Sequence, residues 1–274
     1  MSRTSQSIGR NYEYLVNVVN VSHDGSLVQI ETRPEAGRTN IGPKQRFWVE
    51  PTLLYPVVKG AGDLDVCSYN PQHTLCAIVP NRGIAGEALT QVETTVERNN
   101  PNLFRYFQTF ESQLKKRSTY RTRMPKAPFY SVYNVGEYTF SPWKVIWPEQ
   151  PGNSGLPVAV VNTRRINGLG DKIVVPDHKI YFAEFNDPTL AYYLCGILSC
   201  SLVQKFVKSF HVMLQVGDIF KFMRLPEYNA TDERYVRLVD LAQEANNESN
   251  QERRLLLVQE ISAIGDEIIA NWEP

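Results

Sequence analysis

The sequence predicts an α+β fold: a mixed β-sheet body with packed helices over residues 1–226, followed by an antiparallel helical pair over 227–274. Three observations predict it. Short β-branched and aromatic runs, bounded by Pro and Gly turns, fill residues 12–79 and return over 129–185. Asn100-Pro101 and Asp187-Pro188 each open an apolar-periodic stretch, Asn or Asp being a good N-cap and Pro suiting the first helical position. Beyond residue 227 the apolar residues recur at helical spacing.

Residues 12–19 and 26–32 read as strands joined by His23-Asp24-Gly25-Ser26, because Asp-Gly accepts the backbone of a tight hairpin turn. Residues 45–49 and 75–79 are the next strands. After Pro101, the residues Leu103, Phe107, Phe110 and Leu114 stand 4, 3 and 4 apart, so one helix should run to Arg117. Residues 117–128 read as a long loop. Strands resume at 129–133, 144–147, 157–162, 172–175 and 180–185, with a turn at 152–155. A second helix is expected from Asp187 to about Lys208, then a short apolar strand or loop at 219–225. Thr231 is the expected N-cap of a helix carrying Tyr235, Leu238, Ala242 and Ala245. The polar run 246–251 breaks it, and Leu257, Ile261, Ile264 and Ile268 mark the last helix.

Lys+Arg and Asp+Glu both number 29, so the formal charge is zero. That neutrality is a sum of opposites. Residues 227–274 hold 11 acids and 4 bases, whereas residues 1–226 hold 18 acids and 25 bases. The body is therefore the end suited to a nucleic acid. No stretch of 18 apolar residues exists, which argues against a membrane-spanning helix, and the opening MSRTSQSIGRNY lacks the apolar core of a secretory signal. Four cysteines without a C-x-x-C pair and four scattered histidines argue against a disulfide scaffold or a metal centre. A reduced, cytoplasmic protein is expected.

The densest chemical signal lies between Arg105 and Lys126. It holds Arg105, Lys115, Lys116, Arg117, Arg121, Arg123 and Lys126 against one acid, Glu111, with Tyr120 inside and Phe129, Tyr130 and Tyr133 following. Such cations neutralise phosphates, and Arg also reads the O6/N7 edge of guanine. A helix C-terminus favours cations and accounts for Lys115, Lys116 and Arg117. It leaves Arg121, Arg123 and Lys126 in the loop unexplained. Asp177 and Glu184 are similar to the acidic pair of metal-dependent nucleases, but Asn186 stands where a Lys commonly accompanies the Glu. A turn aspartate and a strand glutamate are the preferred reading. The Gly168–Asp171 turn precedes a strand rather than a helix, and Ser154-Gly155 lacks a nucleophile elbow, so no catalytic centre emerges.

Several segments, in order, resemble the C-terminal target recognition domain of TaqI-type and type IIG adenine-N6 DNA methyltransferases. They are LYPVVKG (54–60), the 103–117 helix with its basic loop and Phe129-Tyr130, FSPWKVIW (140–147), KIVVP (172–176), AYYLCGILSCS (191–201), Leu225-Pro226 and the 235–245 helix. Ser199 and Cys200 stand where the family usually has Asn and Ser. The resemblance spans roughly residues 40 to 270 and implies a prokaryotic module that reads double-stranded DNA and positions a methylase on it. The closing helical pair resembles the spacers of type I specificity subunits and implies docking on the methylase. The family's N-P-P-Y and glycine-rich motifs are missing, Asn70-Pro71-Gln72 and Asn100-Pro101-Asn102 being the nearest. Methyl transfer and S-adenosylmethionine are therefore expected in a partner domain or subunit, with no cofactor in this chain, which is then standalone, split or truncated.

The resemblance and the charge pattern together name the expected DNA contacts: Lys59, Lys115, Lys116, Arg117, Arg121, Arg123, Lys126 and Lys144, with Tyr120 and Tyr130 nearby. Arg121 and Arg123 are the expected base readers, and Lys115 and Lys116 the phosphate contacts. The alternatives are a metal-dependent nuclease using Asp177 and Glu184, and a non-catalytic adaptor docking through its C-terminal helices.

Overall fold

The structure is a computed structural model and describes residues 14–36, 42–71, 73–80, 92–150, 155–209 and 222–272. The fold is α+β. A six-stranded sheet is built from β1 (Leu15–Val21), β2 (Val28–Thr32), β3 (Arg46–Val49), β4 (Leu54–Val58), β7 (Leu75–Ile78) and β12 (Val175–Pro176), in the order β12-β4-β7-β1-β2-β3. All its pairings are antiparallel except β12 beside β4. Small hairpins join β5 (Leu64–Asp65) to β6 (Ser68–Tyr69) and β10 (Thr163–Ile166) to β11 (Gly170–Ile173). A second sheet has the order β13-β8-β9, from Ile180–Phe185, Trp143–Pro148 and Ala159–Val161.

The β1–β2 turn forms as its residues dictate. Gly25 adopts φ 70°, and the Asp24 carboxylate accepts from the Ser22 hydroxyl at 2.7 Å and the Ser26 amide at 3.1 Å. Those contacts hold its pKa down to about 2.

Four helices cross the middle of the chain: α1 (Val92–Asn99), α2 (Pro101–Thr109), α3 (Glu111–Lys116) and α4 (Ser118–Arg123). The expected single 103–117 helix is thus broken at Phe110, whose buried ring packs edge-on against Phe47 and Tyr106. Pro101 takes the first turn as expected, but Asn100 makes no cap bond. Glu50, from the end of β3, accepts from the Asn102 and Leu103 amides at 3.1 and 3.0 Å instead. The cap is therefore tertiary, and a carboxylate there also suits the positive helix end. The expected strand at 129–133 is a turn, with Ser131 N–H donating to the Pro128 carbonyl at 2.9 Å.

The helix expected from 187 to 208 also breaks, into α5 (Pro188–Ser199) and α6 (Ser201–Ser209), bent by 61° at Cys200. Asp187 caps α5 through the Thr189 amide at 2.8 Å. The amide end of α6 is capped by the last helix: Asp266 accepts from the Leu202 amide at 2.8 Å, and Ser262 from that of Ser201 at 2.9 Å. Together α5 and α6 have the length and apolarity of a span, but α5 lies in the interior; no single helix among the described residues is long and apolar enough to cross a membrane.

The C-terminal pair is α7 (Glu233–Asn247) and α8 (Gln251–Ala270). Asp232, not Thr231, is the N-cap of α7, accepting from the Arg234 amide at 3.0 Å. Ion pairs Arg234–Glu267, Arg237–Glu260 and Arg253–Glu244 run in opposite residue order along the two helices, as antiparallel packing requires.

Three apolar clusters organise these elements. One joins the six-stranded sheet to α2 and α3 through Tyr14, Phe107, Phe110 and Tyr130. A second joins β8 and β9 to α5–α8, so the core crosses the expected boundary at residue 226. A third, around Val58, Ile146 and Phe182, fills the space between the sheets. Residues 1–13, most of the expected 152–155 turn and the start of the 219–225 segment lie outside the described residues.

Candidate nucleic-acid interface

The basic segment is built on α3, α4 and the turn that follows. Arg117 sits between the helices with φ −55° and ψ 130°, which redirects the chain. The expected long loop then contains α4, closed by Arg121 N–H to the Arg117 carbonyl at 3.0 Å and Met124 N–H to Tyr120 at 3.0 Å. Tyr120 and Met124, four apart and followed by Pro125, are the sequence signal for this helix. Met124 is buried and Tyr120 half-buried, so this edge faces inward while Arg121, Thr122 and Arg123 face solvent.

The expected contact residues separate into two groups. Lys116, Arg121, Arg123 and Lys126 are exposed, with no ion pair to a described residue. Lys115 is 54% exposed but pairs with Glu111 one turn earlier and lies 5.7 Å from the Phe129 ring centroid. These five are exposed cations carried by α3, α4 and the turn after it.

The other five are engaged inside the protein. Tyr130 is fully buried and stacks on Phe107 at 5.0 Å, as part of the core. Tyr120 donates its hydroxyl to the Ala127 carbonyl at 3.0 Å. Arg117 donates to the carbonyls of Leu114 (2.9 Å), Ser131 (3.0 Å) and Phe129, and its guanidinium lies over Tyr14 and Tyr120. Each of its three nitrogens already donates one bond inside the protein. Lys144 is fully buried, opposite Glu184 across β8–β13, and donates to the Ser141 carbonyl at 2.6 Å. Burial pushes its pKa down to about 7 against the opposing pull of Glu184. The centre of the FSPWKVIW segment is therefore interior. Lys59 is partly exposed and lies 3.5 Å from the Asp177 carboxylate.

Asp177 and Glu184 have different charged neighbours, Lys59 and Lys144. Asp177 is fully buried, accepting from the His178 amide and ring at 2.6 and 2.9 Å and facing Lys59. Glu184 lies four residues along β13 from Ile180, about 13 Å of extended chain. Among the described residues no three His, Cys, Asp or Glu side chains group as metal ligands.

The partners of Arg117 have no local signature in the sequence. Tyr14 comes from the residue just before β1, and the acceptors at 129 and 131 are backbone atoms of a turn.

No family model matches the chain. Over 167 residues it is 28% identical to the type II methyltransferase M.NspV of Nostoc sp. (strain ATCC 29411 / PCC 7524), a match covering 59% of this chain and 30% of that protein. Its fold follows, over 99% of its length and with a TM-score of 0.51, 33% of the type IIL restriction-modification enzyme MmeI, whose structure is described as in complex with DNA; the identity is 12%. The chain thus spans about a third of the proteins it matches, sharing sequence with part of a type II methyltransferase and the fold of part of a type IIL restriction-modification enzyme.

Proposed function

We propose that the chain is the DNA-sequence-recognition module of an adenine-N6 methyltransferase or restriction-modification system, with methyl transfer supplied by another domain or subunit. The observation that carries this reading is the fold likeness to a region of an enzyme solved with DNA, spanning 99% of the chain. The weaker sequence likeness to a methyltransferase points the same way. Within that fold, Lys116, Arg121, Arg123 and Lys126 are exposed cations with no ion pair to a described residue. Arg121 and Arg123 are assigned to base edges, and Lys115, Lys116 and Lys126 to phosphates. The C-terminal pair is assigned to the methylase, where Leu255 and Leu256 leave 52% and 61% of their surface exposed on α8. The partner methylase would hold S-adenosylmethionine and flip the adenine.

The test begins by co-producing the chain with its methylase and mapping the methylated adenines, which defines the site. Full-length wild type, Arg121→Ala and Arg123→Ala are then titrated against a duplex carrying that site and a scrambled duplex. Each lost base contact should weaken specific binding by about 1–3 kcal/mol and leave scrambled-duplex affinity nearly unchanged. Equal losses on both duplexes would reduce the arginines to phosphate contacts. A wild type that binds neither duplex at low salt would overturn the reading.

A further inference from the structure

We propose that Arg117 is a positioning residue for DNA readout: it fixes α4 and the turn after it, so that Arg121 and Arg123 are presented in one orientation. The inference rests on the DNA-recognition reading and gives a different role to a residue whose type and place in the sequence suggested direct contact. α4 has six residues, two of them Thr, far below the length at which a helix holds itself in water. Only Met124 at its end is buried, with Tyr120 half-buried. Something beyond helix propensity must hold it.

Arg117 supplies that hold. Its guanidinium joins the end of α3 to the carbonyls of Phe129 and Ser131, 12 and 14 residues on, closing the segment that bears Arg121, Arg123 and Lys126. The group lies 5.2 Å from the Tyr14 ring and 5.7 Å from the Tyr120 ring. Both rings are anchored to the same turn: Tyr14 donates to the Tyr130 carbonyl at 2.6 Å and Tyr120 to that of Ala127 at 3.0 Å. A planar five-donor fork between two rings can satisfy three carbonyls at once, which a lysine ammonium cannot reproduce. Bidentate base contacts need their side chains held to within about 0.5 Å, so a loosened loop loses discrimination before it loses charge.

The test uses the full-length chain, a duplex carrying the mapped site and a scrambled duplex. Arg117→Lys keeps the charge. It should lower the specific-to-scrambled affinity ratio about tenfold or more, at a wild-type salt dependence on the scrambled duplex, while amide hydrogen exchange speeds up across residues 118–131. Tyr120→Phe, a milder change should Arg117→Lys fold poorly, should move the ratio and the exchange in the same direction by less. Discrimination retained in both variants overturns the assignment. So does a salt slope lowered by about 0.9 in Arg117→Ala and restored by Arg117→Lys, the mark of a direct phosphate contact. A wild type that binds no duplex removes the proposal together with the reading beneath it. Wild-type binding with discrimination kept in the variants removes the Arg117 role alone.

Discussion

Lys144 gives the sharpest pH-dependent test of the structure. Its ammonium is fully buried with a single short bond to the Ser141 carbonyl, and Glu184 faces it across the strand pair. Burial lowers its pKa from 10.5 to about 7. Below pH 7 both folded and unfolded chains carry the proton, and the folded state bears the full cost of a buried charge. Between 7 and 10.5 the folded chain has released it while the unfolded chain still holds it, so stability climbs with pH across that window. At about 1.4 kcal/mol per pH unit the whole window corresponds to an upper bound on the order of 5 kcal/mol. Relaxation and hydration around Glu184 reduce what is observed.

Lys144→Met keeps the volume of the aliphatic stem and removes the charge. Replacing a buried ion by an apolar group of similar size is often stabilising by about 1–4 kcal/mol, and the gain here should be largest near pH 6. Urea unfolding followed by far-UV circular dichroism, repeated from pH 6 to 9.5, measures it. The wild-type midpoint should rise with pH while that of the variant stays flatter, the two curves converging toward the alkaline end. Parallel curves, or a variant less stable than wild type at pH 6, would refute the burial argument for this lysine.

Two further perturbations test the helix packing. A Cβ on Gly265 would lie 2.7 Å from Cys200 Cβ, so Gly265→Ala, favourable by about 1 kcal/mol in an isolated helix, should instead destabilise by about 0–2 kcal/mol through overpacking. Combining it with Cys200→Gly should recover part of the loss in a double-mutant cycle of urea midpoints, and additive effects would count against the close approach of α8 to the α5–α6 bend. Glu50→Ala removes the tertiary cap of α2 and should cost about 1–2 kcal/mol in thermal melts; a near-neutral Glu50→Ala would count against that cap.

Local chemistry alone determined much of this protein. The Asp-Gly hairpin, β3, β7, β8 and β13, the Pro-opened α2 and α5, and the two C-terminal helices all announce themselves by turn residues, by 2- or 3.6-residue periodicity, or by caps within a few positions. The α+β class follows from those elements together, and so does the separation of a basic body from an acidic tail.

Tertiary structure decided what each charged or polar side chain does. The breaks at Phe110 and Cys200 come from what the rings and neighbouring helices allow, not from a local breaker. α4 lacks an apolar stripe of its own and is held by a guanidinium and two rings, one of them more than a hundred residues earlier in the chain. For the expected DNA contacts the sequence supplied the list of cations, and only packing separated the exposed Lys116, Arg121, Arg123 and Lys126 from Arg117, bonded to three carbonyls, and the buried Lys144. The physical reason is common to all of these. Residue type fixes which bonds a side chain can make, whereas burial and the positions of distant backbone carbonyls fix which it does make, and those depend on contacts between residues far apart in the chain.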